Sequence, residues 1–140
     1  MSQSMSIDEI QQALDSSPFI AFLGLRVTAV DAAAGSVTMT MPSRPELERG
    51  GAGPSMFHGG RVASFIDTVG DFAVAIAVGG GVPTMNFRVD YLRPSMGDHL
   101  TATATARRVG RTVAVVDIDV FDPAGRLTAI GRGTYSSTVG

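Results

Sequence analysis

The chain contains no cysteine and no lysine. Without cysteine there is no disulfide framework, no thiolate nucleophile and no cysteine-ligated metal. Its two histidines, His58 and His99, are too far apart in sequence to form a ligand cluster, so no metal is expected. There is no long apolar run either. The most apolar stretch, Phe72 to Val82, is too short to span a bilayer and is rich in glycine, so no membrane partner is expected. Met1-Ser2-Gln3-Ser4-Met5 lacks a basic region followed by an apolar run, so no secretory leader is read there and a cytoplasmic location is expected. Internal repeats and low-complexity segments are missing as well.

With lysine absent, every cation is arginine, and the formal net charge is −2. That balance argues against nucleic acid as a partner. The charge is uneven, however: residues 1–87 carry four Arg against eight Asp or Glu, and residues 88–132 carry seven Arg against five Asp. A GC-rich genome also produces arginine-only usage. Arginine nevertheless suits bidentate binding of phosphates, so the second half can serve an anionic small molecule. At 140 residues the chain reads as one domain, residues 1–140, with an N-terminal helical extension over residues 1–19, and it is long enough to bury its own core. A hydrophobic content of 44% against 17% charged residues is apolar for so short a chain and points to an oligomer interface.

Ser6-Ile7-Asp8-Glu9 has the capping-box pattern and predicts a helix from Ile7 to about Asp15, stopped near Pro18. Phe19 to Gly24 reads as a single turn packing that helix down. Strands are predicted over Leu25–Val30 and Ser36–Met41, the second alternating Val37, Met39 and Met41 with Ser36, Thr38 and Thr40. Pro42 to Phe57 has no periodicity and reads as a long loop, of the kind that more often shapes a site than connects elements. After one long helix, Gly79-Gly80-Gly81 makes a stop, and Val82 to Leu92 alternates as a strand. Leu100–Arg107 alternates alanine with threonine, and an alanine face lets a helix approach closely. Tight turns at Val109-Gly110-Arg111 and Asp122-Pro123-Ala124-Gly125 lead into strands Thr112–Phe121 and Leu127–Ser137. This order gives an α+β fold, an antiparallel sheet with one long helix against it, in which a second copy completes the burial.

The long helix runs from Gly60 to about Val78, and the stretch that opens it concentrates the chemistry. Val62, Phe65, Ile66, Val69, Ala73 and Ile76 recur at the spacing of a buried stripe. Asp67 falls roughly opposite, among Ala63, Gly70 and Val74, on a face that is itself small and apolar. A helix apolar on two sides is usually buried on two sides, and a carboxylate there needs a reason. Taken alone, Gly59-Gly60 can be a simple turn and Asp67 a solvated residue. Together they supply free backbone N–H groups at a helix start and a carboxylate two turns on, the minimum equipment for acyl transfer.

His58-Gly59-Gly60 with Asp67 nine positions after the histidine resembles the signature of hotdog-fold acyl-CoA thioesterases, in the phenylacetate-pathway (PaaI-like) branch related to 4-hydroxybenzoyl-CoA thioesterases. The resemblance runs from about Ile20 to Ser137. It includes Asp90-Tyr91-Leu92-Arg93-Pro94, Gly97-Asp98, Gly110-Arg111-Thr112 and Gly131 to Tyr135. It implies a hotdog fold, with the sheet wrapped around the long helix, and hydrolysis of an acyl-CoA thioester to free acid and CoA. Gly59 corresponds to the glycine whose backbone N–H polarises the thioester carbonyl, with Gly60 beside it. Asp67 corresponds to the carboxylate that attacks that carbonyl or activates water, supplied from the other subunit of a dimer. Thr84 aligns, across a one-residue gap, with a Ser or Thr that holds the lytic water in some members. His58, grouped with the catalytic residues, fixes the loop and the thioester rather than serving as base; otherwise it is a structural histidine bonded to backbone. Met56 and Phe57 join the acyl pocket, and Arg93, Arg107, Arg108 and Arg111 sit where CoA phosphates bind in relatives. No separate cofactor is implied, since CoA is part of the substrate. The assembly implied is a homodimer with a shared sheet, often paired again into a tetramer.

One departure is plain: many relatives carry Asn or Gln six residues before the histidine, and here that position is Ala52. Ser55 and His58 are the polar residues nearest in sequence to replace it. The departure motivates an alternative, a non-catalytic acyl-CoA-binding protein. A hotdog hydratase or dehydratase of enoyl-CoA fits less well, because Gly53-Pro54-Ser55-Met56-Phe57 holds no carboxylate before His58. Asp71, one turn after Asp67, reads as a solvated helix residue that would influence Asp67 if the two were close.

Overall fold

The computed structural model describes residues 4–140; Met1, Ser2 and Gln3, on which the reading of the N-terminus partly rests, lie outside the described residues. The first helix, α1 (Ile7–Ser16), starts at the expected capping box. Ser6 Oγ accepts from the Glu9 N–H at 3.2 Å, and the Glu9 carboxylate accepts from the Ser6 N–H at 2.7 Å. Ile10 and Leu14 drop from α1 into the core. A proline opens the short α2 (Pro18–Leu23), and Gly24 closes it in the left-handed conformation at φ 75°.

Strands β1 (Arg26–Asp31) and β2 (Ser36–Pro42) follow, then a loop with one 3₁₀ turn at Pro45–Leu47 and a single bridge between Glu48 and Phe57. The long helix α3 spans Gly59–Val78, one residue longer at its start than the sequence predicts. Gly79, left-handed at φ 91°, ends it with an N–H bond to the Ala75 carbonyl at 2.7 Å. Strands β3 (Thr84–Tyr91), β4 (His99–Val109), β5 (Val113–Phe121) and β6 (Leu127–Ser136) complete the chain.

All six strands join one antiparallel sheet in the order β1-β2-β4-β5-β6-β3, which leaves β1 and β3 as edges. The sheet wraps α3, which lies mainly across β4 and β5, in the hotdog arrangement. Close approach depends on small residues, as the alternation in β4 predicts. Ala102 and Ala104 are fully buried under the helix, while Thr103 and Thr105 point to the other face. On the helix side the same requirement falls on Gly70. A Cβ there would overlap the hydroxyl of Tyr135, which is wholly buried between α3 and β6. The helix is buried on two sides: Val62, Phe65, Ile66 and Val69 on one, Gly70 and Val74 on the other. Among the described residues no helix is long and apolar enough to cross a membrane.

Candidate active site

His58 is the N-cap of α3, with extended backbone at φ −61°, ψ 138°. Its ring Nδ1 accepts from the Gly60 N–H at 2.9 Å, and its carbonyl accepts from the N–H groups of Arg61 at 2.9 Å and Val62 at 3.1 Å. Three of the first four amide donors of the helix are therefore occupied by one residue. The fourth, the Gly59 N–H, has no acceptor among the described residues. It lies at the positive end of a 20-residue helix, where a developing negative oxygen is favoured. The Gly59 carbonyl is held from outside by the Tyr91 hydroxyl, which donates to it at 2.5 Å. The His58 ring is thus bonded to backbone at the start of its own helix.

Two turns along α3, Asp67 is half-buried. Thr84 Oγ1, at the start of β3, donates to Asp67 Oδ1 at 2.8 Å, leaving Oδ2 open. The backbone carbonyl of Asp67 accepts from the Tyr135 hydroxyl at 3.0 Å. The Tyr135 phenol is pushed well above its usual range by burial first, then by the charges of Asp67 and Asp71. Around Asp67 lies a cleft of about 250 Å³ lined by Phe19, Ile20, Ser64, Thr68, Asp71 and Phe72. Ser64 and Thr68 donate back to the carbonyls of Gly60 and Ser64, at 2.9 and 2.8 Å, so their hydroxyl protons are engaged within the helix.

Asp71 departs from the sequence reading. It is half-buried rather than solvated, because the chain leaving α3 folds back over it and the Val82 N–H donates to its Oδ1 at 3.2 Å. Burial pushes its carboxyl up to about 6; the Val82 N–H opposes that rise and the charge of Asp67 adds to it.

Gly59 and Asp67 do not meet within one chain. Eight residues of helix separate them, about 12 Å along the axis. Gly59 lines a different cleft, of about 340 Å³, with Met56, Phe57, Tyr91, Leu92 and Arg93. His58 and Gly60 line a third, of about 300 Å³, with Phe19, Leu23, Arg61 and Ser64. Of the four arginines singled out in the sequence, only Arg93 shares the Gly59 cleft. Arg107 pairs with Asp117 at 3.6 Å on the sheet face away from α3, and Arg108 and Arg111 lie exposed toward the β4–β5 hairpin. A larger concavity, about 690 Å³, is on that same outer face, among Arg88, Arg107, Asp117 and Arg132. The described residues contain no group of three His, Cys, Asp or Glu able to hold a metal.

Three residues around the site escape sequence reasoning. Tyr91 and Tyr135 belong to motifs that read as strand signals, and their hydroxyl partners are distant in sequence. Arg61 interrupts an apolar helix and is 5% exposed. It donates to the carbonyls of Leu23, at 3.4 Å, and Pro42, and its guanidinium lies 4.9 Å from the centre of the Phe57 ring. It therefore ties α2, the end of β2 and the loop before His58 to the start of α3. Burial, then the neighbouring Arg44, lowers its pKa from the usual arginine range.

The profile of the thioesterase superfamily matches residues 55–129, a span that includes His58, Gly59, Asp67 and Thr84. The chain belongs to the thioesterase superfamily. Among its relatives, the Halobacterium salinarum protein VNG_1336C is 38% identical over 136 residues, covering 90% of this chain and 88% of that one. The acyl-coenzyme A thioesterase PaaI of Escherichia coli is 33% identical over 113 residues, 79% of this chain and 76% of that one. In structure, the E. coli PaaI protein superposes with a TM-score of 0.82 at 26% identity, covering 99% of this chain and 98% of that one. Thioesterase HI1161 of Haemophilus influenzae superposes with a TM-score of 0.82 at 25% identity, over 95% of this chain and 90% of that one. This superfamily member therefore has the PaaI-like hotdog fold, and its reaction class is thioester hydrolysis.

Proposed function

We propose that the chain hydrolyses acyl-CoA thioesters, with Asp67 as general base or nucleophile and the Gly59 N–H as oxyanion donor. The observation that carries this reading is the open Gly59 N–H at the start of α3, on the same helix as a carboxylate pinned by Thr84. The thioester oxygen accepts from Gly59 as negative charge develops on it. Asp67 takes a proton from a water whose oxygen attacks the carbonyl carbon, or its free Oδ2 attacks directly and water later releases the acyl group. The C–S bond breaks, its electron pair leaves on sulfur, and the thiolate takes up a proton to give free CoA beside the free acid. No metal or cofactor is needed for these steps.

A second copy of the chain completes the site in this proposal. β3 is an open edge, with Met85 60% and Tyr91 53% exposed. Thr84, which holds Asp67, stands at the beginning of β3, and Tyr91, which holds Gly59, stands at its end. Antiparallel pairing of two β3 edges puts the beginning of one strand beside the end of the other. Asp67 of each copy then faces Gly59 of its partner, bridging the gap that one chain leaves open. Met56 and Phe57 line the acyl side of that junction. Arg93 is the first candidate for the CoA phosphates, with Arg107, Arg108 and Arg111 further candidates. Pairing of such dimers through the polar outer face gives a tetramer, and a cytoplasmic location is part of the same proposal.

One observation favours a second reading, a non-catalytic CoA-ester binder. Ala52 is exposed between Gly51 and Gly53, both at positive φ, and brings no polar group to the site. His58 Nδ1, one of the two nearest replacements, is already engaged by Gly60. The test is release of free CoA thiol from aryl-, short- and medium-chain acyl-CoAs, wild type beside Asp67→Asn, with light scattering on both. Hydrolysis by a dimer or larger assembly, reduced at least about a hundredfold in the variant, supports the proposal. Turnover that survives in Asp67→Asn removes the mechanism, and a monomer in solution removes the shared site. A thermal shift with CoA esters but no thiol release selects the binder.

A further inference from the structure

We infer that Asp71 is a positioning residue for this reaction, holding the chain that enters β3 so that Thr84 meets Asp67, and holding it most firmly when ionised. The inference rests on the reading of Asp67 as the active carboxylate. Asp67 and Asp71 are one turn apart on α3 and project from the same side. Val82 and Thr84 are two residues apart where the chain enters β3. Two rungs join these pairs: the Val82 N–H to Asp71 Oδ1 at 3.2 Å, and Thr84 Oγ1 to Asp67 Oδ1 at 2.8 Å.

The segment between helix and strand is Gly79-Gly80-Gly81-Val82-Pro83, and its first three residues have no side chains to set their path. On its far side it is held by two backbone bonds, from the Ser136 N–H to the Pro83 carbonyl at 2.9 Å and from the Gly140 N–H to the Gly81 carbonyl at 3.1 Å. On the helix side, Asp71 is the side chain that reaches it. A Cβ on Gly81 would lie 3.8 Å from Asp71 Oδ1, so the carboxylate and the backbone come close without obstruction. The Val82 side chain is buried, and without Asp71 its N–H would lose its acceptor beside the core.

The charges around Asp71 make this rung sensitive to pH. On its own helix it faces Asp67, and from β6 it faces the Tyr135 phenol. The entering chain offers the Val82 N–H, and β3 offers the uncharged Thr84. α2 and its cap contribute Ser17, Phe19 and Ile20, none of them ionisable, and no cation lines the cleft. Burial lifts Asp71 to about 6, so its charge changes within the range where activity is measured. An N–H bond to a carboxylate is roughly twice as strong as one to a neutral acceptor, so the rung tightens as Asp71 ionises.

The test compares Asp71→Asn, which keeps an acceptor for Val82 and removes the charge, with Asp71→Ala, which removes both. Wild-type kcat for thiol release should rise with a step near pH 6; Asp71→Asn should lack that step and fall several-fold at pH 8 with KM unchanged. Asp71→Ala should lose about a hundredfold in kcat, the scale of a displaced reacting group. Adding Thr84→Val to Asp71→Ala should cost little more, because Thr84 would already be out of position. An Asp71→Asn profile that superposes on the wild type, or full additivity of Asp71→Ala with Thr84→Val, would overturn the inference. Asp67→Asn is run alongside: if it stays active, the reading of Asp67 fails, and the two failures are told apart.

Discussion

The Thr84 hydroxyl donates to Asp67 Oδ1 at 2.8 Å across the seam between α3 and β3, joining residues 17 apart in sequence. The bond spends one carboxylate oxygen and fixes the direction of the other. Thr84→Val keeps the branched shape suited to a strand and removes only the donor. Both partners are partly open to solvent, so the fold should tolerate the change. kcat for thiol release should fall between about tenfold and a hundredfold, and Thr84→Ser should restore most of it. Equal rates for the Val and Ser variants would count against a role for the hydroxyl.

His58 gives a second prediction. Its Nδ1 caps the Gly60 N–H, so its contribution is to helix geometry at Gly59. Asn supplies a side-chain oxygen suited to the same cap, and Ala does not. His58→Ala should lower the unfolding free energy by about 1 kcal/mol and reduce activity, while His58→Asn should stay near wild type in both. Denaturant unfolding and thiol release measured on the two variants decide it. Loss of activity in both, with stability kept in Asn, would make the ring itself a participant in the chemistry.

Much of this arrangement is readable from local sequence, and the parts that are not share a cause. The Ser6–Glu9 box, the stop at Gly79 and the alternation of Val37, Met39 and Met41 each settle an element, because capping, helix termination and strand facing depend on neighbours in the chain. His58, Gly59 and Asp67 stand on a single helix, so their order along it is also legible. Tyr91 reaches Gly59 across 32 residues and Tyr135 reaches Asp67 across 68, and only the register of β3 on β6 and the depth of α3 in the sheet bring them there. Asp71 reads as solvated because helical periodicity says nothing about where the chain goes after Gly81. Arg61 is similar: its spacing marks a helix residue, but the loop over residues 42–57 determines that it is covered.

The closeness of α3 to β6 gives a third prediction. A methyl group at Gly70 would overlap the Tyr135 hydroxyl, and Tyr135 is fully buried with its ring against Gly133 on the other side. Gly70→Ala gains helix propensity, worth about 1 kcal/mol, yet the overlap should cost more than that and leave the variant less stable by about 2 kcal/mol. Urea unfolding measures the sum. A variant more stable than wild type would mean that α3 can move off the sheet, and that the bond from Tyr135 to the Asp67 carbonyl is dispensable.

The last prediction concerns stability against pH and turns on the sign of the Asp71 shift. Its folded value, about 6, lies above the ordinary 3.8 of the unfolded chain. Between those values the folded state binds more protons than the unfolded state, so unfolding free energy falls as pH rises from about 4 to 6 and is flat above, as far as this group is concerned. A shift of this size, discounted for partial exposure, is worth about 2 kcal/mol. Glu9, Asp117 and Asp122 act in the opposite sense: hydrogen bonds and, for the two aspartates, arginine partners hold their values below normal, so the stability they give is present above about pH 4 and lost below it. The Glu9 window reaches up to its unfolded value of 4.5, so the difference between wild type and Asp71→Asn, rather than the wild-type slope alone, isolates Asp71. Urea unfolding at intervals across that range should show wild type losing stability as pH rises and Asp71→Asn staying level. At pH 8 the variant should be the more stable protein and, by the clamp argued above, the slower enzyme. A parallel slope in the two proteins would mean that Asp71 does not carry its charge at a cost to the fold.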